Sequence, residues 1–136
     1  MEFIIANWYL FAGLLVVLYL LYGSAITQKL MGINAVSAFE AVRLMNQEKA
    51  VLIDVCEDNE YKEGHILNSV NMPLSGLSKR MGEMDKHKAK PVIISCRTGN
   101  RSGRAASMLR KNGFESVHIL TGGMTAWKKE NLPVEK

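Results

Sequence analysis

The chain has 136 residues, 48% of them hydrophobic and 22% charged, with two cysteines and a formal net charge of +4 at pH 7. That length suits one domain of about 100 residues plus an appendage, and two cysteines exclude a disulfide framework. The 17 Lys and Arg residues are dispersed and form no stripe with aromatics, which argues against nucleic acid and for an anionic membrane surface or small anions.

From Phe3 to Tyr22 the sequence carries no charge. As a helix rising about 1.5 Å per residue, this stretch matches the ~30 Å hydrocarbon core of a bilayer. Trp8 and Tyr9 toward one end, and Tyr19 and Tyr22 at the other, suit interfacial anchors. No Lys or Arg precedes the run, which is also too long for a signal-peptide core. Residues 1–23 are therefore expected to be an uncleaved transmembrane anchor, 24–32 a linker and 33–136 the domain. Lys29 and Arg43 follow the run, with no acid until Glu40, so the positive-inside bias predicts an outer N-terminus. The domain would then face the cytoplasm from the cell's inner membrane, where a working thiol stays reduced.

Beyond the linker, elements alternate. Ile33 opens a short edge strand, and Ser37-Ala38-Phe39-Glu40 is a capping-box pattern ahead of helically spaced Ala41, Val42, Leu44 and Met45. Val51 to Val55 is an apolar run of the kind buried on both faces of a sheet. A helical turn near Asn59–Glu63 stops at Gly64, and Val70 to Met72 reads as a strand ended by Pro73. Ser75 to Met84 is compatible with a helix, and Lys86–Lys90 with a solvated turn. Val92 to Ser95 is the next strand. The helix after it presents Ala105, Ala106, Met108 and Leu109 inward and stops at Gly113. Val117 to Leu120 is a strand, and Met124 to Glu130 a last helix whose Trp127 belongs to the core. This alternation predicts an α/β domain with a mostly parallel central sheet flanked by helices.

The candidate site is the stretch Cys96-Arg97-Thr98-Gly99-Asn100-Arg101 between the Val92 strand and the Ser102 helix. Ligands of such sheets bind beyond the strand carboxyl ends. Loop N–H groups and a helix N-terminus favour anions there, and Arg97 and Arg101 add full charges. Each effect favours thiolate, so Cys96 is expected to ionise below the free-cysteine pKa of roughly 8.5. Gly99 suits a mid-loop position that needs positive φ. The loop that activates the sulfur would also hold an anionic substrate against it.

At these residues the sequence resembles the rhodanese family of sulfurtransferases, whose single-domain members carry Cys-x-x-Gly-x-Arg, here Cys96 to Arg101. Leu52-Ile53-Asp54-Val55 with Glu60-Tyr61 and Gly64-His65-Ile66 resembles the family's N-terminal signature. Val70-Asn71-Met72-Pro73 resembles its next strand. Gly122-Gly123-Met124, Ala126-Trp127 and Leu132-Pro133 resemble its C-terminal signature. The likeness runs from about Ile33 to Val134. The family usually has arginine after the Asp-Val pair, where this chain has Cys56.

The resemblance implies a two-step transfer. Cys96 thiolate takes the outer sulfur of a thiosulfate-like donor as a persulfide, and a thiol or other thiophilic acceptor removes it. Arg97 and Arg101 suit an oxygen-rich dianionic leaving group such as sulfite, with Thr98, Gly99 and Asn100 completing the substrate-binding loop. No cofactor is needed, and the sequence holds no metal-ligand cluster or nucleotide motif. Asp54 and His65 could form an acid–base pair, but structural hydrogen bonding of buried polar groups is the simpler expectation. Glu60 reads as a scaffold ion-pair partner, and Cys56 as a packed thiol rather than a second redox group. Two other functions stay open. A membrane-anchored rhodanese-like binding or adaptor module is one, with membrane proteins as its partners. A cysteine phosphatase is the other, although its signature spaces Cys and Arg by five residues and this loop has four.

Overall fold

The computed structural model describes residues 1–30, 32–97 and 101–136, with the side chains at 24, 25 and 27–29 left aside. In chain order, the N-terminal helices are α1 (Glu2–Ala6) and α2 (Trp8–Leu30). Then come β1 (Asn34–Val36), α3 (Ala38–Gln47), β2 (Val51–Asp54), α4 (Asp58–Glu63), β3 (His65–Ile66) and β4 (Val70–Asn71). They are followed by α5 (Leu77–Arg80), β5 (Pro91–Ser95), α6 (Ser102–Lys111), β6 (Ser116–Leu120), α7 (Gly123–Lys129) and β7 (Val134–Glu135).

The central sheet has five strands in the order β1-β6-β5-β2-β4, every pair parallel. Its strands are apolar on both faces because helices cover both. Along β5, Val92 and Ile94 join Ile53, Val117 and Ile119 under Ala105, Ala106 and Leu109 of α6. The intervening Ile93 joins Leu52 and Leu120 under Ala41 of α3 and Met124 and Trp127 of α7. Ser37 caps α3 as its pattern predicts, accepting the Glu40 N–H at 3.2 Å. Gly113 takes φ +94° just past α6, a left-handed position that suits a helix stop.

Three expectations need correction. The apolar N-terminus is broken at Asn7, whose backbone and Nδ2 N–H groups both turn to the Phe3 carbonyl, at 3.1 and 2.9 Å. From Trp8 the helix runs on to Leu30, through most of the expected linker. Nothing between Gly23 and Leu30 stops it, since that stretch contains no proline. Among the described residues no helix is long and apolar enough to cross a membrane, so the transmembrane helix expected over 1–23 is not shown. The helix expected over 75–84 is a 3₁₀ turn at Leu74–Gly76, one α turn at α5, and 3₁₀ structure over Met81–His87. Gly76 and Gly82 each weaken an α-helix by about 1 kcal/mol relative to Ala. The antiparallel pair β3–β7, with His65 opposite Glu135 and Ile66 opposite Val134, was not foreseen. Two-residue strands leave no periodicity to read.

Ile94 is fully buried in β5, one residue before Ser95 and two before Cys96. Ile94→Ala should cost about 2–5 kcal/mol, read as a lower denaturant midpoint with little change in slope.

Candidate active site

Cys96 follows β5 directly at the carboxyl edge of the sheet and is only 1% exposed. Its carbonyl accepts the Met124 N–H at 2.8 Å, and the Arg97 carbonyl accepts both the Thr125 N–H (3.1 Å) and the Thr125 Oγ1–H (3.0 Å). The first turn of α7 thus fixes the two peptide planes nearest the sulfur. This approach requires glycine at 123: a Cβ there would overlap the Cys96 carbonyl oxygen, and φ is +54°. Sequence reasoning assigned no site role to Gly123 or Thr125, although the Gly122-Gly123 pair marks a chain reversal before a helix.

At the far end of the loop, Arg101 donates from Nη1 to Glu60 Oε1 at 2.7 Å and from Nη2 to Glu60 Oε2 at 2.9 Å. Such a bidentate pair is strong and geometrically specific. The Arg101 hydrogen bonds hold the Glu60 carboxyl down at a pKa of about 2. The same bonds hold Arg101 protonated more firmly than usual, and the sulfurs of Cys56 and Cys96 add to the effect. Arg97 is more exposed, with Nε 3.8 Å from Glu60 and Nη2 3.5 Å from Glu63. Both arginines therefore face acids of α4, which tempers the expectation that they act as two uncompensated charges beside the thiolate. Arg101 is committed to Glu60. Thr98, Gly99 and Asn100 lie outside the described residues.

The remaining expected residues hold backbone in place. Asp54, buried at the end of β2, accepts the Cys56 N–H on Oδ1 at 2.9 Å. His65 Nδ1–H, in the tautomer assigned from its partner, donates to the Tyr61 carbonyl at 2.8 Å, and its ring stacks on Tyr61 with centroids 3.7 Å apart. Its Nε2 lies 3.2 Å from Glu135 Oε1. Asp54 and His65 thus have separate partners rather than one another. Cys56 is packed in the core, with Arg101 Nη2 3.8 Å from its sulfur. Burial, reinforced by the Asp54 charge, pushes its thiol up to about 12, so it stays protonated at neutral pH.

Glu60 gives the site a pH signature. Its carboxyl falls from 4.5 to about 2 on folding. Its contribution is therefore complete above the unfolded value and is lost as pH falls from about 4.5 toward 2. At about 1.4 kcal/mol per unit it amounts to at most about 3.5 kcal/mol. Glu60→Gln should lower stability at neutral pH and flatten the acid limb of the stability curve. Denaturant titrations between pH 2 and 7 would show it, and parallel curves for the two proteins would contradict the assignment.

A profile of the rhodanese-like domain matches residues 37–130. The chain is 40% identical over 111 residues to the Bacillus subtilis protein YqhL, covering 82% of this chain and 83% of that one. It is 37% identical over 103 residues to Escherichia coli YibN, covering 75% and 72%. With the thiosulfate sulfurtransferase GlpE of Pseudoalteromonas translucida it shares 35% over 98 residues, covering 72% and 91%. Among solved structures, a rhodanese-related protein from Thermoplasma volcanium superposes with a TM-score of 0.67 at 28% identity, covering 75% of this chain and 97% of that one. The position of Cys96 at the end of a central strand, the parallel central sheet and the match over most of the chain agree: this chain belongs to the rhodanese-like domain family.

Proposed function

We propose that the chain is a membrane-anchored sulfurtransferase that moves sulfane sulfur from a thiosulfate-like donor to a thiophilic acceptor through a persulfide on Cys96. The observation that carries this reading is the position of Cys96, enclosed at the end of a central strand, with Arg101 five residues on tied to Glu60. The sulfurtransferase named among its relatives supports it at modest identity. Cys96 thiolate attacks the outer sulfur of the donor, a new S–S bond forms, and the donor's own S–S bond breaks. Sulfite leaves with the electron pair. Arg97, whose side-chain ion pairs among the described residues are long and exposed, can turn to that dianion. A thiol or cyanide then takes the outer sulfur and regenerates the thiolate.

Cys96→Ser should abolish thiosulfate-to-cyanide transfer, and thiosulfate should no longer add one sulfur atom to the protein by mass. Its circular dichroism should match the parent, and Cys56→Ser should stay active. Substantial turnover by Cys96→Ser would overturn the reading.

The anchor rests on the charge-free run from Phe3 to Tyr22 and on side chains that the domain leaves uncovered, such as Leu15 at 67% and Leu20 at 74% exposure. Exposed apolar surface of this extent calls for a partner, and the charge-free sequence run with its flanking charges favours a bilayer, with the domain on the cytoplasmic face of the inner membrane. Other membrane proteins would lie within the domain's reach as partners. The chain should stay with membranes through salt and alkaline washing. Protease should cut the domain only from the cytoplasmic side, and cleavage from outside sealed cells would refute the topology.

A further inference from the structure

Ser102 is the first residue of α6 and directly follows Arg101. It has no exposed surface, and its Oγ finds no hydrogen-bond partner among the described residues. A buried hydroxyl left unpaired costs about 1–3 kcal/mol, and alanine at this helical position would avoid the cost while favouring the helix. An unsatisfied group of this kind calls for an explanation, and a catalytic role is one of the few. Location supplies it. Ala105 and Ala106 lie three and four residues further on the same face of α6, and both pack in the core cluster that contains Cys96. Helical Cα–Cβ bonds tilt toward the N-terminus, so Ser102 points from that face back to the loop end of the helix.

We propose that Ser102 Oγ–H donates a hydrogen bond to the terminal sulfur of the Cys96 persulfide, making Ser102 a further catalytic residue. This rests on the sulfurtransferase reading above. The hydroxyl, unpartnered among the described residues, is free to donate to that sulfur. Transfer places one sulfur beyond Cys96 Sγ, carrying the negative charge as the donor's S–S bond breaks and sulfite departs. The hydroxyl stabilises that charge without giving up its proton. A hydrogen bond to a charged group of this kind changes a rate or an equilibrium by about ten- to a hundredfold.

The test compares the full chain in detergent with its Ser102→Ala variant. The persulfide is loaded either with thiosulfate or with inorganic polysulfide, and its decay is followed by mass. In parallel, iodoacetamide alkylation of unloaded Cys96 is measured across pH. The variant should lose the persulfide about ten- to a hundredfold faster, while its alkylation profile and thermal midpoint stay at or above those of the parent. Equal persulfide lifetimes would overturn the proposal. So would a variant in which alkylation and thermal stability deteriorate together with the lifetime, because that pattern belongs to a structural residue. A parent chain that accepts sulfur from polysulfide but never from thiosulfate would instead count against the thiosulfate reading, and the lifetime comparison would still decide the role of Ser102.

Discussion

The site depends on a loop held at both ends by different elements. At its tail Arg101 closes onto Glu60 of α4 with two short charge-assisted bonds. At its head the first turn of α7 takes the Cys96 and Arg97 carbonyls. The sulfur is positioned because both clamps stand on rigid supports. α4 follows β2 and α7 follows β6, the strands on either side of β5. A parallel sheet brings the carboxyl ends of neighbouring strands to one edge, so segments distant in sequence meet around the residue that leaves the middle strand.

Charge at this edge is arranged more economically than a count of arginines suggests. Glu60 and Glu63 draw Arg101 and Arg97 toward α4. The strong pair serves architecture, and the weak, solvated pair leaves Arg97 loosely held. Cys56 lies within reach of Arg101, yet burial and Asp54 keep its thiol protonated. Cys56 and Cys96 share one core cluster, and it is the surroundings of Cys56 that hold its own thiol in the protonated form.

Much of this was legible in the sequence. The apolar run at Val51 and the one at Val92 became central strands because both faces of the sheet are covered. The Ser37 cap and the Gly113 stop lie where local chemistry puts them. Boundaries drifted where local preference was weak, as around Gly76 and Gly82, and where a helix met nothing to end it, as beyond Gly23. The β3–β7 pair escaped notice because its two short strands are joined only by the folded chain.

The sequence by itself determined the alternation of strands and helices, the place of Cys96 after an apolar strand, and the charge-free N-terminal run, because each is written in local periodicity or composition. Only the tertiary structure decided what each polar residue does. Glu60 grips Arg101, His65 turns to Tyr61 rather than Asp54, Gly123 admits the Cys96 carbonyl, and the Ser102 hydroxyl finds no partner among the described residues. The physical reason is that hydrogen bonds and ion pairs act over a few ångströms, and the sheet's crossovers set which residues come that close.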